Sequence, residues 1–180
     1  MNARSVARAG ILAALLAVSA WVTIPLGPVP FTLQTMVLAV IPAALDRKTG
    51  CLAIGCYLLL GALGMPVFSG FGSGVAAIAG PTGGFLWGFL LGELAATTAF
   101  DAIGDRMPLF ARTLAADAIL LAISYACGTV QLMVVAQLDV AGALALAVLP
   151  FVLPDAIKLV VGARIGCLVA GASPSVRRAG

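Results

Sequence analysis

Apart from Lys158 and Arg164, which lie inside the last apolar stretch, the basic residues of this chain flank its apolar stretches on alternate sides only, and that alternation constrains the fold more tightly than any motif. Six apolar segments can be drawn, at 6–24, 31–45, 50–65, 82–100, 113–136 and within 142–170. Arg4, Arg8, Arg47, Lys48, Arg106, Arg112, Arg177 and Arg178 all fall on one side of these segments. The connections on the other side, 25–30, 66–81 and 137–141, contain no Lys or Arg. Such an excess marks the cytoplasmic face of a membrane protein. Removing any one helix would destroy the pattern. The expectation is therefore an all-α membrane protein with six transmembrane helices, a single domain over 1–180, and both termini in the cytoplasm.

Composition agrees. Hydrophobic residues make up 62% of the chain and charged residues 9%, against about 25% charged in ordinary soluble domains. A helix crossing a core of about 30 Å needs roughly 20 residues at 1.5 Å each. The second and third segments fall short of that, so their ends are expected inside protein or in interfacial loops. The first segment also resembles a cleavable signal peptide, with Arg4 and Arg8 followed by an apolar run and Val18-Ser19-Ala20. Its run continues through Trp21, Val22 and Ile24, and the charge alternation needs it retained.

Several function classes are excluded or weakened. No His exists, so Ser–His and Cys–His catalysis has no support and no His can ligate a metal. Cys51, Cys56, Cys127 and Cys167 lie in apolar stretches without a Cys-x-x-Cys and read as small core or lipid-facing residues. The net charge of +3 is scattered, which gives no footprint for nucleic acid. Gly70-x-Gly72-x-Gly74 follows no strand, and no Gly-Lys dipeptide exists for a Walker A loop. No cofactor is expected on this chain. Any ATP would be used by another subunit.

The chemistry concentrates at Asp155 and Lys158. Residues three apart share a helix face, and ionisable groups within a membrane segment are costly and usually face the bundle interior. With the sixth helix starting near Val148, Asp155 and Lys158 would lie about 10 and 15 Å below its outer end. Two Gly/Pro-rich connections share that side: 26–35, with Thr32, Gln34 and Thr35, and 66–85, with Thr82. One reading is an outward pocket in which Lys158 meets a carboxylate and Asp155 accepts from N–H donors. The other is an internal ion pair with no ligand. Glu93 and Arg164 invite a pair of their own in the inner half, and Asp117, near Arg112, is expected at the interface. Ala9, Ala13 and Ala17 put small residues along one face of the first helix. That permits close contact with another membrane protein or within the fold.

Gly27-Pro28-Val29-Pro30-Phe31-Thr32-Leu33-Gln34-Thr35, Gly64-Met65-Pro66-Val67-Phe68, Gly80-Pro81-Thr82-Gly83-Gly84-Phe85 and Pro150-Phe151 followed by Asp155-x-x-Lys158 resemble the BioY family in order and spacing. Those proteins are biotin-specific substrate-binding (S) components of energy-coupling factor (ECF) transporters. The resemblance spans essentially all six helices. It implies an S-component fold in the inner cell membrane, with biotin held near the outer surface under the first and third loops. It also implies a transmembrane coupling subunit and ABC-type ATPases as partners, with self-association in members that work without a full module. By motif, Asp155 would meet the ureido ring and Lys158 the valerate carboxylate, with Thr32, Gln34, Phe68, Gly83, Gly84 and Phe85 lining the pocket. The face of Ala9, Ala13 and Ala17 is similar to the surface used against the coupling subunit. Pro154 stands where Gly is common in the family, and Phe85 where Tyr is common. An S component for another vitamin, or a small intramembrane enzyme or scaffold using Glu93 and Arg164, are the alternatives.

Overall fold

The computed structural model describes residues 3–172; Arg177 and Arg178 lie outside the described residues. All six apolar segments form helices. In chain order they give α1 (Ala3–Trp21), a short pairing of β1 (Thr23–Ile24) with β2 (Phe31–Thr32), α2 (Gln34–Leu38), α3 (Ile41–Ala44) and α4 (Arg47–Ala62). Then come α5 (Val75–Ala79), α6 (Gly83–Ile103), α7 (Leu109–Ala136), α8 (Val140–Ala147) and α9 (Val152–Ala172). Among the described residues, α1, α6 and α7 are each long and apolar enough to cross a membrane alone, and α8 with α9 forms a span bent by 48°. The second and third segments are short, as their apolar runs predict: α4 has 16 residues.

Local chemistry sets the boundaries. Asp46 opens α4 by accepting from the Thr49 amide at 3.0 Å, and Asp139 opens α8 by accepting from the Gly142 amide at 2.9 Å. Gln137 ends α7 in the left-handed conformation at φ 53°. Pro42 lacks the N–H that would bond the Leu38 carbonyl, and the second segment divides into α2 and α3 there. Pro154 sits in the first turn of α9, where a missing N–H breaks no intrahelical bond. The sixth segment therefore differs from expectation. Its main helix starts at Val152 rather than near Val148, and a separate helix precedes it.

Glycines let the helices close on one another. A Cβ on Gly84, Gly88 or Gly92 would lie 2.3 Å from the Cys127 carbonyl oxygen, 2.6 Å from the Ser124 Cα and 2.8 Å from the Leu120 carbonyl oxygen. This four-residue stripe of small residues locks α6 against α7. On α9, a Cβ at Gly162 or Gly166 would lie 2.4 Å from the Met36 carbonyl oxygen or 2.7 Å from that of Val40. That approach brings the first turn of α9 against the start of α2. On the other side of the core, Leu12, Leu16 and Tyr57 of α1 and α4 share one buried cluster.

The end without basic residues is covered by loops fixed to the bundle. Strand pairing there, Thr23 with Thr32 and Ile24 with Phe31, was not expected from the sequence. Gly27, at φ 109°, lies in the connection that turns between those strands. The Trp21 indole donates to the Pro66 carbonyl at 2.8 Å and stacks on Phe71 at 5.3 Å. Gln131 donates to the Ile78 and Gly80 carbonyls at 2.8 and 2.7 Å, pinning the third loop to α7.

Candidate functional site

Under these loops lies a cavity with about 800 Å³ of empty space, counted out to its mouth. Its apolar wall includes Val29, Phe68, Phe85, Leu86, Phe89 and Phe151, and its polar wall includes Thr32, Gln34, Thr35, Ser124, Tyr125, Asp155 and Lys158. Few pockets in so apolar a chain could combine such walls with a charged pair.

Hydrogen bonds tie most of the polar wall to the charge pair. Asp155 is in the first turn of α9, where the helix dipole favours a carboxylate. It accepts from the Thr35 hydroxyl at 3.0 Å and from the Tyr125 hydroxyl at 2.7 Å, and it pairs with Lys158. Lys158 also donates to the Thr32 carbonyl at 2.8 Å, and its ammonium sits 4.1 Å from the centre of the Phe31 ring. Both charges are buried, at 4% and 7% exposure. Four elements thus meet at one charge pair: β2, α2, α7 and α9. Beside them Gln34 donates to the Tyr57 hydroxyl at 2.8 Å, and Tyr57 packs edge-on against Phe68 at 5.4 Å.

Of the residues singled out in the sequence, Thr32, Gln34, Phe68, Phe85, Asp155 and Lys158 line this cavity. Gly83 and Gly84 do not. A Cβ on Gly83 would run into the Ile78 carbonyl, and one on Gly84 into the Cys127 backbone, so both serve the packing of α6. Thr35 and Thr82, also picked out in the connections, line it too, and Leu86, Phe89, Leu121, Ser124 and Tyr125 are among the additions. Tyr125 lies in a long apolar helix with no spacing relation to Asp155, so only the fold reveals it.

Three expectations are corrected. Ala9, Ala13 and Ala17 face inward, at 2%, 6% and 8% exposure, because they pack with Leu12 and Leu16 into the core. The small residues that α1 leaves exposed are Ala3, Ala7, Gly10 and Ala14. Glu93 does not pair with Arg164, whose guanidinium lies 4.0 Å from the centre of the Phe110 ring. Asp117 is not interfacial but fully buried. It stands eight residues into α7, about 12 Å from that helix's start.

Known proteins share this architecture. The BioY family model matches residues 1–175. Biotin transporter BioY of Thermotoga maritima is 43% identical over 162 residues, covering 90% of this chain and 93% of that protein. Biotin transporter BioY2 of Lactococcus lactis subsp. cremoris is 38% identical, covering 82% and 80%. A crystal structure of the S-component for biotin from an ECF-type ABC transporter superposes with a TM-score of 0.86 over 95% of both chains at 21% identity, which shows the fold. This chain is a multi-pass membrane protein with the S-component fold, and it belongs to the BioY family.

Proposed function

We propose that the chain captures biotin from outside the cell in the cavity under the loops. In this reading it is the substrate-binding component of an ATP-driven ECF transporter in the inner membrane, and it catalyses no reaction itself. The observation that carries the reading is a buried, hydrogen-bonded Asp–Lys pair on the wall of a cavity at the end free of basic residues. Relatives 43% and 38% identical over most of their length carry the name biotin transporter, which supports the same ligand. A coupling subunit and ABC-type ATPases would supply the energy. Among the exposed small residues of α1, Ala7, Gly10 and Ala14 offer the close-contact surface such a coupling subunit needs. A different vitamin in the same pocket is the competing assignment.

Two placements of biotin fit its chemistry. In the first, Lys158 meets the valerate carboxylate and Asp155 the ureido N–H. Asp155 and Lys158 are in direct contact, so this placement requires the pair to part as the ligand enters. In the second, the pair stays together and meets the ureido group alone, whose adjacent C=O and N–H present one acceptor and one donor. The observed contact favours this second arrangement. Competition with biotin amide separates them. If Lys158 serves the carboxylate, the amide loses about 1.5–3 kcal/mol, and Lys158→Ala abolishes that discrimination. If both charges serve the ureido end, biotin and its amide compete equally. Tighter binding of thiamine or riboflavin than of biotin would overturn the assignment to biotin itself.

A further inference from the structure

Two carboxyls lie deeper than the pocket, and nothing in the site above uses them. Glu93 and Asp117 are both 0% exposed, and among the described residues no group hydrogen-bonds any of their four oxygens. Glu93 stands one turn beyond Phe89, which lines the outer cavity, and one turn before Thr97, which lines a second cavity at the basic end. Phe85, Phe89, Glu93, Thr97 and Asp101 recur every four residues, so outer cavity, acid and inner cavity follow one another down α6 along a row that turns by about 40° per step. Asp117 stands one turn beyond Leu121, another residue of the outer cavity, and lies within Coulombic reach of Glu93. The break between α2 and α3 reaches the same layer, where Ile41 lies against Gly50 and a Cβ on Gly50 would lie 3.9 Å from the Glu93 carboxyl. The inner cavity, about 620 Å³ out to its mouth, includes Pro42 of that broken helix together with Asp46, Lys48 and Asp101. The two acids therefore occupy the partition between two cavities.

An ionised carboxylate in such surroundings needs a counter-charge. Among the described residues, no cation forms an ion pair with either of them. From α4 the near titratable group is Cys51, while Arg47, held by Thr98 at 3.1 Å, and Lys48 both line the inner cavity with Asp46. From α9, Lys158 is paired with Asp155 and Arg164 covers Phe110. Arg112 of α7 is bound to the Phe100 carbonyl and to Asp105, and Arg106 to the Ala102 carbonyl. The α3, α5 and α8 segments contain no ionisable residue. A metal cation would require several more oxygen ligands than this apolar layer presents. A proton requires only the carboxyls themselves.

We propose that Glu93 and Asp117 form a proton-binding partition between the outer pocket and the inner cavity. Opening of the partition breaks one carboxyl O–H bond and passes the proton to water in the inner cavity. The partition's role in ligand release rests on the biotin reading of the outer cavity; its occupancy by protons does not.

Infrared spectroscopy of the full-length protein in lipid nanodiscs tests this. At pH 7 a protonated-carboxyl band is expected, shifting in D2O and shrinking as pH is raised. Glu93→Gln and Asp117→Asn should each remove about half of it. Absence of the band in the wild-type protein would overturn the proposal, as would a band that neither exchanges nor titrates, because sealed acids are purely structural. Both of those readouts need no variant, so misfolding of a variant cannot obscure them. Biotin binding measured on the same sample judges the pocket separately: loss of binding with the band intact would sink the biotin reading and leave the proton site standing.

Discussion

Asp155 and Glu93 are both hidden acids on membrane helices, yet their surroundings are opposite. Asp155 has three partners, one of them a cation, and borders a cavity under the loops. Glu93 has no hydrogen-bond partner among the described residues and faces a second acid. Burial alone therefore says little about an ionisable group in a membrane. What counts is whether neighbouring helices bring it a counter-charge. The charge pair under the loops is supplied with partners, whereas the layer around Glu93 and Asp117 is not.

Removing one member of the outer pair should give the largest effect. Asp155→Ala leaves Lys158 buried without its anion, which costs about 3–5 kcal/mol, read as a lower denaturation midpoint in detergent. A cost below about 1 kcal/mol would mean that Lys158 is at ease without its partner, and the contrast would collapse. Tyr125→Phe removes a single hydrogen bond to a charged group, and should weaken biotin binding by about 1.5–3 kcal/mol with the fold kept. Gly162→Val pushes α9 away from the Met36 carbonyl. A destabilisation of about 1–3 kcal/mol is expected from such overpacking, with slower biotin association as a second sign that the helix positions the pair. Smallest of all should be Glu93→Gln. Exchanging a neutral acid for its isosteric amide should change stability by about 1 kcal/mol or less. A loss as large as that of Asp155→Ala would show that Glu93 is charged and partnered after all.

Charge alternation and apolar runs made the six-segment bundle legible in the sequence, because both are written in residue type and spacing alone. Asp155 and Lys158 were legible for the same reason: charges in an apolar run stand out. Tyr125 was not, since its meeting with Asp155 depends on how α7 turns against α9. The inward turn of Ala9, Ala13 and Ala17 was hidden too. Small residues permit close packing on any side, and only the neighbouring Leu12 and Leu16 decide which side is the core. The separation of Glu93 from Arg164 has a similar origin. Depth can be read from position along a helix, whereas direction around the helix axis requires the bundle.

Radiolabelled biotin titrated into the purified wild-type protein and into Lys158→Ala tests the role of the outer pair most directly. If the pair anchors the ligand, losing the cation should weaken binding by about 1.5–3 kcal/mol, roughly tenfold to a hundredfold. Equal affinity for the two proteins would contradict that role and leave Asp155 and Lys158 as a structural ion pair beside a pocket that recognises something else.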